Sequence, residues 1–164
     1  MNVQVMMTIN GSNYVDLVKV LSEKTHALNG KWLNSKISHI DDYFAGLIKV
    51  EIDTDNVEKL AEHFRSLGIT ATATVLSPEI HEPAKHVKLT IDANDRYGLV
   101  HDISKTLSDY GVKVEHMECH RLGLLSGVLF TSQFAIVIPD ELDKAQLVGA
   151  LQNIASDLKI DINE

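Results

Sequence analysis

Two stretches of this chain carry residue types that could do chemistry. The first is His116-Met117-Glu118-Cys119-His120. On a strand, alternate side chains share a face, so His116, Glu118 and His120 would point one way and Cys119 the other. Two imidazoles and a carboxylate are a zinc-competent set. A strand face with several polar residues is more often solvated or a subunit contact, and no metal is expected. The basic residue closest to Cys119 in this stretch beyond the histidines is Arg121, two positions on. Cys119 therefore reads as a buried or idle thiol rather than a nucleophile.

The second stretch is Asn94-Asp95-Arg96-Tyr97-Gly98-Leu99. It delivers the chain into the start of an expected helix, whose first backbone N–H groups have no intrahelical partner. Those groups and the helix dipole favour an anion such as a carboxylate. Gly98 has no Cβ, so a ligand can approach the backbone closely. Asn94 or Asp95 could accept a hydrogen bond from a ligand ammonium, each such bond contributing on the order of 1.5–3 kcal/mol. The plainer reading is capping alone: Asn-Asp ahead of a helix needs no ligand.

Several classes of function are disfavoured. There is no Gly-x-Ser-x-Gly elbow, phosphate-cradling loop or dinucleotide fingerprint. The other histidines, at 26, 39, 63, 81, 86 and 101, show no ligand spacing. With 15 Lys and Arg against 23 Asp and Glu, the net charge of −8 would repel nucleic acid. A single cysteine excludes an internal disulfide and fits a reducing compartment. Met1 to Thr8 shows no signal-peptide pattern, and no stretch approaches the length of a membrane span. The expectation is a soluble, cytoplasmic protein without catalytic machinery or cofactor.

The elements that must position the two stretches can be read from periodicity. Val3 to Ile9 is a strand ended by Asn10-Gly11-Ser12, with Ser12 or Asn13 as helix cap. Leu17, Leu21, Thr25 and Leu28 fall on one helical face, with Val18 beside them, and Asn29-Gly30 stops the helix. Trp32–Ile40 and Tyr43–Ile52 are strands joined by a tight turn at Asp41-Asp42. Trp32 reads as core or interface packing. Thr54 or Asp55 opens a second helix with Val57, Leu60, Ala61, Phe64 and Leu67 inward. Ile69 to Leu76 is a strand.

Ser77 to Lys85 holds two of the three prolines and reads as a semi-rigid linker. The order β-α-β-β-α-β then repeats. His86–Asp92 is a strand, and Gly98–Tyr110 is a helix with Leu99, Ile103, Leu107 and Tyr110 inward. Val112–Leu122 and Val128–Ile138 are strands joined by a longer connection, Gly123 to Gly127. Pro139 and Asp140 open a helix carrying Leu142, Ala145, Val148, Leu151 and Ala155. Leu158–Ile162 is the last strand. A shift of 82 positions lays Asn13 on Asp95, Leu17 on Leu99, Leu21 on Ile103 and Leu28 on Tyr110. Such repetition is duplication of a whole unit. The expected fold is α+β: two ferredoxin-like units, residues 1–76 and 86–164, each an antiparallel sheet with both helices on one face. Open sheet edges favour a homodimer.

Asp92-Ala93-Asn94-Asp95-Arg96-Tyr97-Gly98-Leu99-Val100, with a helix ending at Asp109-Tyr110-Gly111-Val112-Lys113-Val114, resembles the ACT domain. In that family the first strand runs into an Asp-Arg-Pro-Gly-Leu turn, and the second begins Ile/Val-Asn-Ile. Tyr97 replaces the proline, Lys113 stands at the usual Asn, and Ala93 sits where some members have a histidine. In the first half only layout and helix register survive, with Asn13-Tyr14-Val15-Asp16 at the corresponding turn. Two such units alone are similar to the glycine cleavage system transcriptional repressor group, and Ser35-Lys36 resembles a Ser-Arg found there.

The resemblance implies a regulatory protein that binds a small amino acid between units, glycine or serine being the first to try. Transcription would be controlled through a protein partner rather than by direct nucleic-acid contact. The implied ligand residues are Asn94, Asp95, Arg96, Tyr97, Gly98 and Leu99. Glu115, His116 and Met117 would form an opposite wall where this half meets another unit. Asp16 would repel a carboxylate at the first turn, which leaves a ligand-independent protein–protein adaptor as the alternative.

Overall fold

The buried, alternating side chains Val5, Met7 and Ile9 require a strand with one face on a core, and the computed structural model, which describes residues 1–78 and 83–163, supplies it. The chain divides into two compact units, Met1–Ile80 and His81–Glu164. The centre of the expected linker, residues 79–82 with His81, lies outside the described residues.

In the first unit the elements are β1 (Asn2–Ser12), α1 (Leu17–Ala27), β2 (Lys31–Ile40), β3 (Tyr43–Asp53), a 3-10 turn (Thr54–Asn56), α2 (Val57–Arg65) and β4 (Thr70–Val75). The sheet order is β2-β3-β1-β4, with every pair antiparallel. Leu17 and Leu21 of α1 and Leu60, Ala61 and Phe64 of α2 close over Ile48, Val50 and Ile52 of β3. The second unit runs β5 (Lys85–Asn94), α3 (Leu99–Asp109), β6 (Lys113–Leu124), β7 (Gly127–Ile138), α4 (Lys144–Gln152) and β8 (Lys159–Asn163). Its order is β6-β7-β5-β8, again antiparallel. Leu99, Ile103 and Leu107 of α3 and Leu147 and Leu151 of α4 pack on Val87, Leu89 and Ile91. The expected α+β architecture of two βαββαβ units is therefore present.

The duplication extends to an irregularity. The register of β2 against β3 slips between Trp32 and Asn34, and that of β6 against β7 slips between Val114 and His116. The extra residues, Leu33 and Glu115, are themselves 82 positions apart. A bulge at the same place on the same edge strand bends both edges alike.

The structure corrects several local expectations. α1 is capped neither by Ser12 nor by Asn13 but by Asp16, whose backbone is left-handed at φ 57° and whose side chain makes no cap bond. Asp53, not Thr54 or Asp55, starts the second helical segment, accepting from the Asp55 amide at 3.0 Å. Tyr110 caps the end of α3 and is exposed, and Val112 fills the core at that end instead. α4 begins at Lys144 rather than Pro139, because Asp143 accepts from the Ala145 amide at 3.0 Å. Its buried face is Leu147 and Leu151, and Ala145 is exposed. The expected five-residue connection at Gly123–Gly127 shrinks to Leu125-Ser126, since β6 and β7 pair through to Leu124 and Gly127. Trp32 packs against the first core, and its Nε1 donates to Thr25 Oγ1 at 3.1 Å.

Candidate functional site

The longer β6–β7 hairpin reaches past the end of β5 and gives the turn after β5 a wall. Asp95 donates its amide to Val128 O at 2.8 Å, and Asn94 donates to Asp157 Oδ2 at 2.7 Å, so both sides of the turn are pinned. Gly98 then caps α3 at φ 76°, a left-handed conformation that glycine adopts without steric cost. A Cβ there would meet nothing closer than Arg96 Nη1 at 3.9 Å, so backbone conformation rather than space calls for glycine. The first intrahelical bond runs from the Asp102 amide to Gly98 O at 2.9 Å. The amides of Leu99, Val100 and His101 precede it and open the helix N-terminus.

These groups line one open cleft of about 660 Å³, formed by Asp95 to His101 and by Arg121. Arg121 arrives from β6, 26 positions along the chain, and its Nε donates to Asp95 Oδ2 at 3.0 Å. Its guanidinium carbon lies 5.7 Å from the centre of the Phe130 ring, within cation–π range. The other carboxylate oxygen of Asp95, Oδ1, is buried and has no partner among the described residues. Arg96 faces the turn itself, donating to Tyr97 O at 3.0 Å, to Asp102 Oδ2 at 2.7 Å and to Ile154 O at 3.4 Å. It thereby neutralises the carboxylate in the first turn of α3 that would otherwise repel an anion. Tyr97 is fully exposed.

Of the residues singled out from sequence, Asp95, Arg96, Tyr97, Gly98 and Leu99 come together here, and Asn94 lines an adjoining hollow with Asp92, Asp157 and Lys159. Glu115, His116 and Met117 do not line the cleft. His116 and Met117 lie alongside Lys88 and Leu89 through β7, well before the strand end at Asn94. Glu115, the bulged residue, is engaged by His86 Nδ1 at 3.2 Å and Lys113 Nζ at 3.8 Å. Within this unit the wall is Arg121 instead. A signal for Arg121 was present: Met117 and Cys119 pack toward the core, and Arg121 is the next residue in that phase. A charge at an apolar phase position asks for a partner.

The strand cluster takes up the expected faces. His116 and His120 lie alongside Lys88 and Asp92 on the side away from the helices, and Cys119 packs against the core. His116 Nε2 approaches Glu118 Oε1 at 3.5 Å, but no group of three or more His, Cys, Asp or Glu suited to a metal gathers among the described residues. No helix among them is long and apolar enough to cross a membrane.

No family model and no curated protein matches the chain. Among solved structures, it is similar to a protein of unknown function from Galdieria sulphuraria at 18% identity and a TM-score of 0.88, covering 100% of this chain and 99% of that one. It is also similar to a protein provisionally described as a glycine cleavage system transcriptional repressor, at 13% identity and a TM-score of 0.71, covering 99% and 97%. An ACT domain protein from Streptococcus pneumoniae matches at 17% identity over 44% of this chain and 89% of that one, with a TM-score of 0.39 that carries no argument. The fold is a tandem ACT-like one.

Proposed function

We propose that the cleft at the start of α3 receives a small amino acid, and that the chain is a non-catalytic regulator whose occupancy is passed to a protein partner. The ligand carboxylate sits on the amides of Leu99, Val100 and His101, where unpaired donors and the helix dipole favour negative charge. Its ammonium donates to Asp95. The observation that carries this reading is Asp95, a carboxylate lining the cleft whose Oδ1 is buried and has no partner among the described residues. A buried acceptor left unsatisfied costs about 1–3 kcal/mol, which a donor arriving with a ligand would recover.

In this reading residues 1–76 form a structural partner unit, 77–85 connect it, and 86–164 hold the receptor. The similarity to the provisionally described glycine cleavage repressor supports transcription as the controlled process. The net charge of −8 supports a protein rather than nucleic acid as the partner. The outer edges of β2 and β6 are the places for a homodimer contact, and the cytoplasm is the compartment a single cysteine suits. The adaptor alternative is favoured by one observation, the carboxylate of Asp16 at the N-terminus of α1.

Melting the protein with each common amino acid in turn separates the two. A ligand at about 100 times its dissociation constant adds roughly 2.7 kcal/mol of stability. A shift with one chemical class of amino acid is expected. A flat response to all of them would leave the adaptor.

A further inference from the structure

We infer that Arg121 reads a second acidic group on the ligand, so that the cleft takes an amino dicarboxylate rather than glycine or serine. This rests on the cleft being an amino-acid site. The two arginines that line it are used differently. Arg96 spends its donors on Tyr97 O, Asp102 and Ile154 O. Arg121 spends only Nε, on Asp95, and among the described residues its two terminal amino groups have no partner. Held at Nε by Asp95 and stacked at 5.7 Å on Phe130, the guanidinium is already oriented before a ligand arrives. Such a fork matches a carboxylate with two parallel bonds and loses little freedom in making them.

The unpaired donors thus exceed what a neutral amino acid can fill. The helix amides take one carboxylate, Asp95 takes the ammonium, and the fork of Arg121 remains. Glycine and serine have no second anion to give it. The cleft volume of about 660 Å³ falls within the range of sites for larger molecules. Packing does not explain Arg121 either. It continues the apolar phase of Met117 and Cys119, its side chain is 52% exposed, and an ion pair so exposed adds little stability.

Calorimetric titration of the full chain with aspartate, glutamate, glycine and serine tests this, using wild type, Arg121→Gln and Arg121→Lys. Aspartate or glutamate is expected to bind at least about tenfold tighter than the neutral pair. Arg121→Gln should erase that difference and leave glycine and serine where they were. Arg121→Lys, which keeps the charge and loses the fork, should narrow it, and this variant carries the test if Arg121→Gln fails to fold. Equal or tighter binding of glycine or serine overturns the inference. So does a loss in Arg121→Gln that is the same for all four, which would place Arg121 on the common carboxylate; the cleft reading survives both. Binding of none of the four overturns both together.

Discussion

Asp16 and Gly98 hold the same backbone conformation at equivalent places in the two units, at φ 57° and φ 76°. Each caps a helix of 11 residues, and each turn is tied by an amide to the neighbouring hairpin, Asn13 to Asp42 O at 2.9 Å and Asp95 to Val128 O at 2.8 Å. Glycine accepts that conformation without strain. Aspartate pays for it, and Asn13 in the same turn is also left-handed at φ 50°. The turn keeps the same geometry with aspartate as with glycine, so its layout is dictated by the sheet and helix around it. What differs is what the turn offers a ligand. The second presents a helix N-terminus beside two arginines, with Asp102 neutralised by Arg96. The first presents a carboxylate at the corresponding cap.

The largest effects expected are in the cores, where the units should behave alike. Leu21→Ala and Ile103→Ala each remove a fully buried side chain at the same register position. Each should cost about 2–5 kcal/mol, read by denaturant melting. The two cores share no residue, so each substitution should lower the transition of its own unit. A loss under 1 kcal/mol at either site would break the equivalence of the helices.

Smaller and opposite effects are expected at the turns. Gly98→Val forces a β-branched residue into a left-handed position and should cost about 1–2 kcal/mol while abolishing any ligand-induced melting shift. Asp16→Gly relieves the strain at the equivalent cap and should stabilise by about 0.5–1 kcal/mol, the relief being offset by the freedom glycine adds to the unfolded chain. If Asp16→Gly destabilises, the left-handed cap is held by something other than backbone geometry. An unchanged ligand response in Gly98→Val would move the site elsewhere.

The smallest effect is on the surface of α3. Asp109, one helical turn along, donates no proton but accepts from Lys105 Nζ at 2.6 Å, and that hydrogen bond holds the ammonium above its ordinary 10.5. A raised folded value means the contribution is complete below the unfolded pKa and is lost as pH rises through the folded one. Asp109→Asn should return Lys105 to its ordinary range in an NMR titration. No counterpart of this pair exists in α1, where Ala27 stands at the equivalent of Asp109.

The element order and the duplication were legible because each core face keeps a strict period. Leu17, Leu21 and Thr25 match Leu99, Ile103 and Leu107 in burial as well as in register. The starts of helices were less legible. Ser12, Asn13 and Asp16 all precede α1, and Asp140 and Asp143 both precede α4, so more than one residue type suited to a cap stands before each helix. The phase of α4 was missed for a related reason: Leu142 and Ala145 suggested one face, but the helix starts at Lys144, past Leu142, and turns Leu147 inward while Ala145 is exposed. Most of the cleft was legible as a local run, Asp95 to Leu99. Its remaining wall, Arg121, was signalled only as a charge in the apolar phase of Met117 and Cys119; its partner was not legible, because hairpin register brings it to Asp95 from 26 positions away.

The central claim is that the second turn reads a ligand and the first does not. Amide chemical shifts across the full chain, followed during titration with the amino acid that raises the melting temperature most, test it directly. The account predicts shifts concentrated at Asp95 to His101 and none of comparable size at Asn13 to Leu17. Equal shifts at both turns, or shifts at the first alone, would contradict it.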